Sequence, residues 1–492
     1  MNSLKKKSLV IAYLIFTIVW AIETIPKNPF IEHYEVVPPL GFIKSIATSH
    51  QQIFVVSDNY LLILNKTDLK LQKTTCFSEY IEFVAYDHLF DELWLTSYSS
   101  LIRYNPNLGS IREYPIGIPI NGIGIGANSV YLDGPRKYAL NRLSGEFKEI
   151  NDFPKDIRWF KKTQQRDIEA YRFLSPYYFL DPLDTSPEPF TQYRITTVFD
   201  DGLYLYVGTE NYGLLRYNKY SWNKERLVYG PLDTKIKMMR RINNTCYLLS
   251  SSGISFYNRE DKTWRYVRLN QDARDFIFLD NRLILAVGSQ LLSLSGTFVA
   301  PVGQLPALVL SLNSDEKYLY IGTNSGMFRM IKGTDAFLQF GPDKFAIYTI
   351  YTTPQNIYVG GEFAFYDYNK TTHRWEERLN RGIKDIIETE KSLYLLTTNN
   401  QLVSYQKNQS QENDTNWLLL PYFNIYDIET DGKVVYCATF AGLNLYDPAT
   451  ELYQPIYELP RIKYDYIILT DEEILALSEE RIYRLPLKYL NW

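Results

Sequence analysis

The sequence predicts an all-β chain: a β-propeller of about 12 four-stranded blades, divided between two rings. Three observations carry this reading. The first is a repeat. The segment Leu-Tyr-Val-Gly-Thr, a turn, then Gly-Leu-Leu-Arg-Tyr-Asn occupies residues 205–218 and returns from Leu319 and from Val435. Looser copies start near Ile53, Leu93, Val130, Cys246, Leu283, Ile357, Leu393 and Ile474. Successive starts lie 36 to 42 residues apart, apart from one gap of 75. The second is an apolar-x-x-apolar pair ten and seven residues upstream of most copies: Ile43/Ile46, Ile120/Ile123, Ile195/Val198, Ile236/Met239, Val309/Leu312, Ile347/Ile350, Ile383/Ile386 and Ile425/Ile428. The third is punctuation. Gly, Asn, Asp and Ser split short β-branched and aromatic runs, and no long 3.6-residue period competes with them.

Each unit then reads as four strands in order. The apolar pair marks the innermost strand, Leu-Tyr-Val-Gly-Thr the second, Gly-Leu-x-x-Tyr-Asn the third, and a strand carrying Trp222, Trp264, Trp375 or Trp417 the fourth. Blades are expected to start near residues 42, 80, 119, 157, 194, 235, 272, 308, 346, 382, 424 and 464, within a double propeller spanning 30–492. The blade at 157 is a degenerate copy. It fills the long gap with Ile157-Arg-Trp-Phe160, followed by strand-like runs at Ile168–Phe173 and Tyr177–Asp181. The last unit runs out after three strands, and His33–Val37 precedes the first, so this N-terminal strand is expected to complete the last blade and cover its open edge. That closure predicts one ring holding the first and last blades and another holding the middle ones. Tandem rings joined through the Pro-rich stretch Pro176–Pro189 are the alternative.

The first residues read as an address. Lys5, Lys6 and Lys7 precede an apolar run from Leu9 to Ile22, and Val19-Trp20-Ala21 suits cleavage after Ala21, giving a signal peptide over 1–21. An uncleaved signal anchor is the alternative, and membrane contact is expected only through that segment. The chain is therefore expected outside the cytoplasm: periplasmic, cell-surface or secreted. Its 52 basic and 56 acidic side chains leave a net charge of −4, which gives no basic field for nucleic acid. Four His and three Cys argue against a metal cluster, so no cofactor and no metal are expected. Cys76, Cys246 and Cys437 read as small apolar fillers, with a disulfide left open.

Leu205-Tyr-Val-Gly-Thr with Gly213-Leu-Leu-Arg-Tyr-Asn218, Tyr320-Ile-Gly-Thr323 and Gly442-Leu-Asn-Leu-Tyr-Asp-Pro448 resembles the two-component regulator propeller repeat. That resemblance implies an extracytoplasmic sensor fold, often two seven-bladed rings that bind carbohydrate breakdown products. This sequence has fewer repeats than that, and no kinase-like segment follows them.

No nucleophile elbow, His-Glu-x-x-His, P-loop or EF-hand loop occurs, so no catalytic residue is assigned. Better candidates come from position. Innermost strands line the axis of a propeller, and the two residues inside each apolar pair vary sharply. Charges on an otherwise apolar strand are costly unless wet or paired. Arg274, Asp275, Lys384, Asp385, Tyr426, Asp427 and Asp465, with the non-repeating Tyr348, are the candidate ligand residues at the channel mouth. Cross-blade pairing is the alternative use of the same charges. Tyr206, Tyr247, Tyr320, Tyr358, Tyr394 and Tyr436 recur at one repeat position and read as packing. The function expected first is a binding or sensing module for a carbohydrate, peptide or protein. A carbohydrate-active lyase or hydrolase, and a structural part of a surface assembly, are the alternatives.

Overall fold

The computed structural model describes residues 34–171 and 193–490, apart from 270, 296–297, 335, 391, 407–416 and 480. The expected signal segment lies outside these residues. Within them the chain forms eleven antiparallel sheets, ten of four strands and one of five. Each is named here by its innermost strand: Ile43–Thr48, Ile81–Asp87, Gly122–Ile125, Arg194–Asp200, Ile236–Ile242, Ala273–Leu279, Val309–Ser314, Ile347–Thr352, Ile383–Glu388, Ile425–Thr430 and Tyr466–Leu469.

The apolar pairs owe their spacing to a bulge. In a regular strand, residues three apart point to opposite faces. Here the register slips inside the pair: Ile347 faces Gly361, Thr349 faces Gly360, and Ile350 faces Val359. One extra residue, Tyr348, goes unpaired, and both isoleucines arrive on the same face. The same slip occurs at Ile43/Ser45, Ile81/Phe83, Ile195/Thr197, Ile236/Met238, Ala273/Asp275, Val309/Ser311, Ile383/Asp385 and Ile425/Asp427. The repeat's glycine in the second strand answers another close approach. A Cβ at Gly322 would lie 2.8 Å from both the side chain and the carbonyl of Ile347 on the neighbouring innermost strand. The repeated tyrosines are buried, from Tyr206 at 0% exposure to Tyr247 at 9%, as the packing reading expects.

The innermost strands pack in two series. In one, Ile43 packs on Ile81 and on Arg194, and a buried cluster joins the Ile81 and Gly122 sheets. In the other, the strands pack in chain order from Ile236 to Tyr466, and Tyr466 packs back on Ile236. The N-terminal strand Glu35–Val37 pairs with Arg481–Pro486 and completes the last sheet, as expected. The first whole sheet does not go with it, because its innermost strand belongs to the other series. The chain thus crosses between the series twice, side by side. The Leu40 amide donates to the Pro231 carbonyl (2.9 Å), and the Tyr229 hydroxyl donates to the Leu40 carbonyl (2.7 Å). One buried cluster spans both series, from Ile43 and Tyr206 to Cys246, Tyr257 and Ile468.

The degenerate copy is a correction. Arg158–Lys161 opens no sheet of its own. It pairs with Gly122–Ile125 as a fifth strand, which leaves eleven sheets among the described residues. Residues Gln165–Ala170 form a helix where a strand was expected, with Gln164 and Asp167 closing a capping box. Tyr177–Asp181 and the Pro-rich stretch lie outside the described residues. All three cysteines are free thiols, with Cys246 and Cys437 fully buried.

Candidate functional site

The bulge divides the two residues inside each apolar pair into different tasks. The second residue returns to the ladder and points at the next sheet. In the four-stranded sheets the innermost strand has no β partner on its free side, so its amides and carbonyls there need other partners. Side chains of the preceding sheet supply them. Asp275 accepts the Leu312 amide (2.7 Å), and Asp427 accepts the Ile467 amide (2.8 Å). Ser45 does the same for the Val84 amide (3.1 Å). Two residues further on, Arg240 donates to the Phe276 carbonyl and Asn313 to the Ile350 carbonyl. The charges at Asp275 and Asp427 therefore serve cross-sheet bonding, the alternative use recognised from sequence.

These carboxylates hold protons strongly. Burial raises Asp275, against the Arg240 guanidinium and the Leu312 and Phe276 amides. Burial raises Asp385 to about 6, against its bond to the Ile386 amide and the charges of Lys384 and Arg240. Burial, then the Asp385 charge, raises Asp427 to about 8. Glu429 is raised well above the usual range by burial and by both aspartates. Asp385, Asp427 and Glu429 thus form one interacting acidic group on two neighbouring strands. Burial also lowers the Lys384 ammonium, while Asp427 and Asp385 oppose that shift.

The first residue of each pair is the unpaired bulge residue, free of the ladder. In the seven-strand series these are Lys237, Arg274, Leu310, Tyr348, Lys384 and Tyr426, and Asp465 stands at the same place before the last strand. The structure brings Lys384, Tyr426 and Asp465 together through a residue the sequence reading missed. Lys463 lies 4.6 Å from the centre of the Tyr426 ring and pairs with Asp465 at 2.6 Å. Lys384 donates to the Asn400 side chain (2.7 Å) and sits 6.0 Å from the same ring. Arg274 is exposed and has no hydrogen-bond or ion-pair partner among the described residues, and Tyr348 is 37% exposed. Neither joins the Tyr426 group. Arg240 and Glu429 were also missed. Their signal was available as the residue four places after the first apolar member of the pair.

No family model and no curated protein matches the chain. Among solved structures, it is similar to the extracellular domain of BT4673 from B. thetaiotaomicron, assigned to one-component systems: 11% identity, TM-score 0.44, covering 92% of this chain and 70% of that one. A second structure of that domain, assigned to hybrid two-component systems, gives 12% identity and a TM-score of 0.41, covering 90% and 69%. PorZ of Porphyromonas gingivalis, a surface component of the type-IX secretion system, gives 11% identity and a TM-score of 0.33, covering 90% and 79%.

Proposed function

We propose that the chain is an extracytoplasmic ligand- or protein-binding β-propeller, a sensor-like module. In this reading the seven sheets from Ile236 to Tyr466 close one ring around an axis. The four sheets from Ile43 to Arg194 belong to a second ring. The ligand meets the mouth of the first at Arg274, Tyr348, Lys384, Tyr426 and Asp465. One observation carries this. The scaffold positions of the repeat keep the same residue types from unit to unit, whereas the bulge residues vary without pattern and bear charges and aromatics that the ladder does not use. Loop-like positions held by a rigid frame are where binding groups gather.

The test is a thermal-shift screen of the chain against glycans and oligopeptides. A ligand held only by the folded state raises the melting point, by an amount equivalent to about 2.7 kcal/mol at a hundredfold excess over Kd. Tyr426→Ala and Lys384→Met are expected to abolish that shift while leaving the unliganded melting point in place. A flat response across both libraries refutes the reading. It would favour a structural part of a surface assembly, for which Leu108, Leu143 and Tyr220, each at least 80% exposed, supply apolar contact points.

A further inference from the structure

A cavity of about 600 Å³ opens between the last two sheets. That volume is within the range of small-molecule sites. Its walls come from the connection that carries Tyr457, Glu458 and Lys463, from Ser478, Glu479 and Arg481 at the end of the last sheet, and from Tyr34 just before the N-terminal strand. Ser478 marks it as unusual. At this place in the repeat, the last residue of the second strand, a hydroxyl normally closes its own turn. Thr209 donates to the Gly213 carbonyl (2.6 Å), Ser250 to Gly253 (3.1 Å), Thr323 to Gly326 (2.7 Å) and Thr439 to Gly442 (2.6 Å). Ser478 has no such bond. Its side chain is 3% exposed, lines the cavity and has no hydrogen-bond partner among the described residues. Its hydroxyl therefore meets the cavity with no protein group bonded to it, and a ligand can bond it without displacing a partner.

The other lining groups define the ligand's chemistry. Both cations are already engaged: Lys463 with Asp465, and Arg481 with the Tyr483 phenol. Glu458 and Glu479 have no hydrogen-bond or ion-pair partner among the described residues. Ionised carboxylates only accept hydrogen bonds, so the missing partner is a donor. The packed rings of Tyr34 and Tyr483 add aromatic surface that favours a cation, while the Tyr457 ring already carries the Arg461 guanidinium at 4.8 Å. We infer that this cavity is a second binding site, one that takes the ammonium group of a primary amine between Glu458, Glu479 and Ser478. The inference rests on the reading of the chain as a binding module, and it assigns that module a cationic ligand beside the Tyr426 group, with Lys463 standing between the two.

Calorimetric titration of the full chain tests it with paired probes: Gly-Gly-Tyr against its N-acetyl form, glucosamine against N-acetylglucosamine, and spermidine alone. At least one free amine is expected to bind. Its acetylated partner, where it has one, is expected to bind at least about tenfold more weakly, as is the amine itself to Glu458→Gln/Glu479→Gln, because charge-assisted hydrogen bonds are lost. The melting point of that variant is expected to be unchanged, both positions lying on surface connections. The tightest probe identifies peptide, amino sugar or polyamine as the source of the amine. The proposal is overturned if no amine saturates, if acetylation makes no difference, or if the glutamine variant binds as well as the parent. Binding that survives in the glutamine variant but is lost in Tyr426→Ala places the amine at the axial mouth. That outcome sinks this site and leaves the proposed function standing.

Discussion

The two series of sheets are built from one repeat and differ in how fully they commit their bulge residues. In the series around Ile43, the bulge charges neutralise one another. Lys44 pairs with Glu82 at 2.9 Å, and Lys162 reaches the same carboxylate at 3.6 Å. In the seven-strand series Lys237 pairs with Asp272 and Asp465 with Lys463, but Arg274 and Tyr348 stand uncommitted among the described residues, and the acidic group of Asp385, Asp427 and Glu429 acts on Lys384. The turns show the reverse. At turns after the first and third strands, Leu89, Phe90, Leu108, Leu143, Leu203 and Tyr220 are exposed in the first series, whereas Asp280-Asn281, Asp315, Asp431 and Asp471 occupy such turns in the second, which exposes Phe363, Phe440 and Tyr457 at other turns. A repeat fixes the backbone and leaves the bulge and the turn tips free to differ. The first series uses its free positions on itself and exposes apolar tips. The second leaves Arg274 and Tyr348 unspent at its bulges.

The largest expected effect breaks the first series alone. Asp87 is fully buried at the end of the Ile81 strand. It accepts from the Trp94 indole (3.1 Å) and the Leu89 amide (3.1 Å) and pairs with the buried Arg142 from the next sheet. Arg142 also donates to the Gly126 carbonyl (3.0 Å). Arg142→Ala leaves a buried carboxylate without its cation and is expected to cost about 3–5 kcal/mol in a denaturant melt. Asp87→Asn in the same chain should return part of that. Hydrogen exchange should quicken in the four sheets from Ile43 to Arg194 and hold in the other seven. Equal quickening throughout would show that the two series unfold as one.

A smaller effect separates the series by pH. Asp385 and Asp427 hold their protons more strongly folded than unfolded, so folding binds protons there. The stability they lend is fully present below the ordinary carboxylate range, near pH 4, and is lost as pH rises through about 8. The seven-sheet series should therefore weaken over that window, and Asp427→Asn, which can still accept the Ile467 amide, should flatten the slope. A melting point that climbs from pH 4 to 8 in the parent, or an unchanged slope in the variant, would refute the electrostatic account of this group.

How far the sequence carried depends on the range of the interaction. The unit was legible because its signals are local: the Tyr-Val-Gly-Thr strand, the Asn and Gly turns, and an apolar pair whose odd spacing encodes a bulge. The closing strand was legible because the last unit lacks its fourth member. The degenerate copy misled because Ile157-Arg-Trp-Phe160 matches the pair in type, while the residues after it do not match the rest of the unit. Without a Tyr-Val-Gly-Thr strand to pair with, it added to the edge of Gly122–Ile125. The division of the sheets was illegible because it is decided where residues 37–42 run beside 228–234, contacts far apart in sequence. At the site, bulge residues could be named from spacing. Lys463 could not, because it reaches Tyr426 from a connecting loop that obeys no period.

The smallest effect sharpens the comparison most. Lys44 and Arg274 occupy the same bulge position in the two series, but only Lys44 is paired among the described residues. Surface pairs of this kind contribute about 0.2–1 kcal/mol. Lys44→Ala is therefore expected to lower stability by an amount in that range, whereas Arg274→Ala should stay within about 0.5 kcal/mol of the parent. Salt should erase the difference, because screening weakens the Lys44–Glu82 pair and has no pair to act on at Arg274. A double-mutant cycle of Lys44 with Glu82 measures the coupling directly. If that cycle gives no coupling, or if Arg274→Ala costs more than Lys44→Ala, the first series is not spending its bulge charges on itself. The contrast between committed and uncommitted bulge residues would then have to be abandoned.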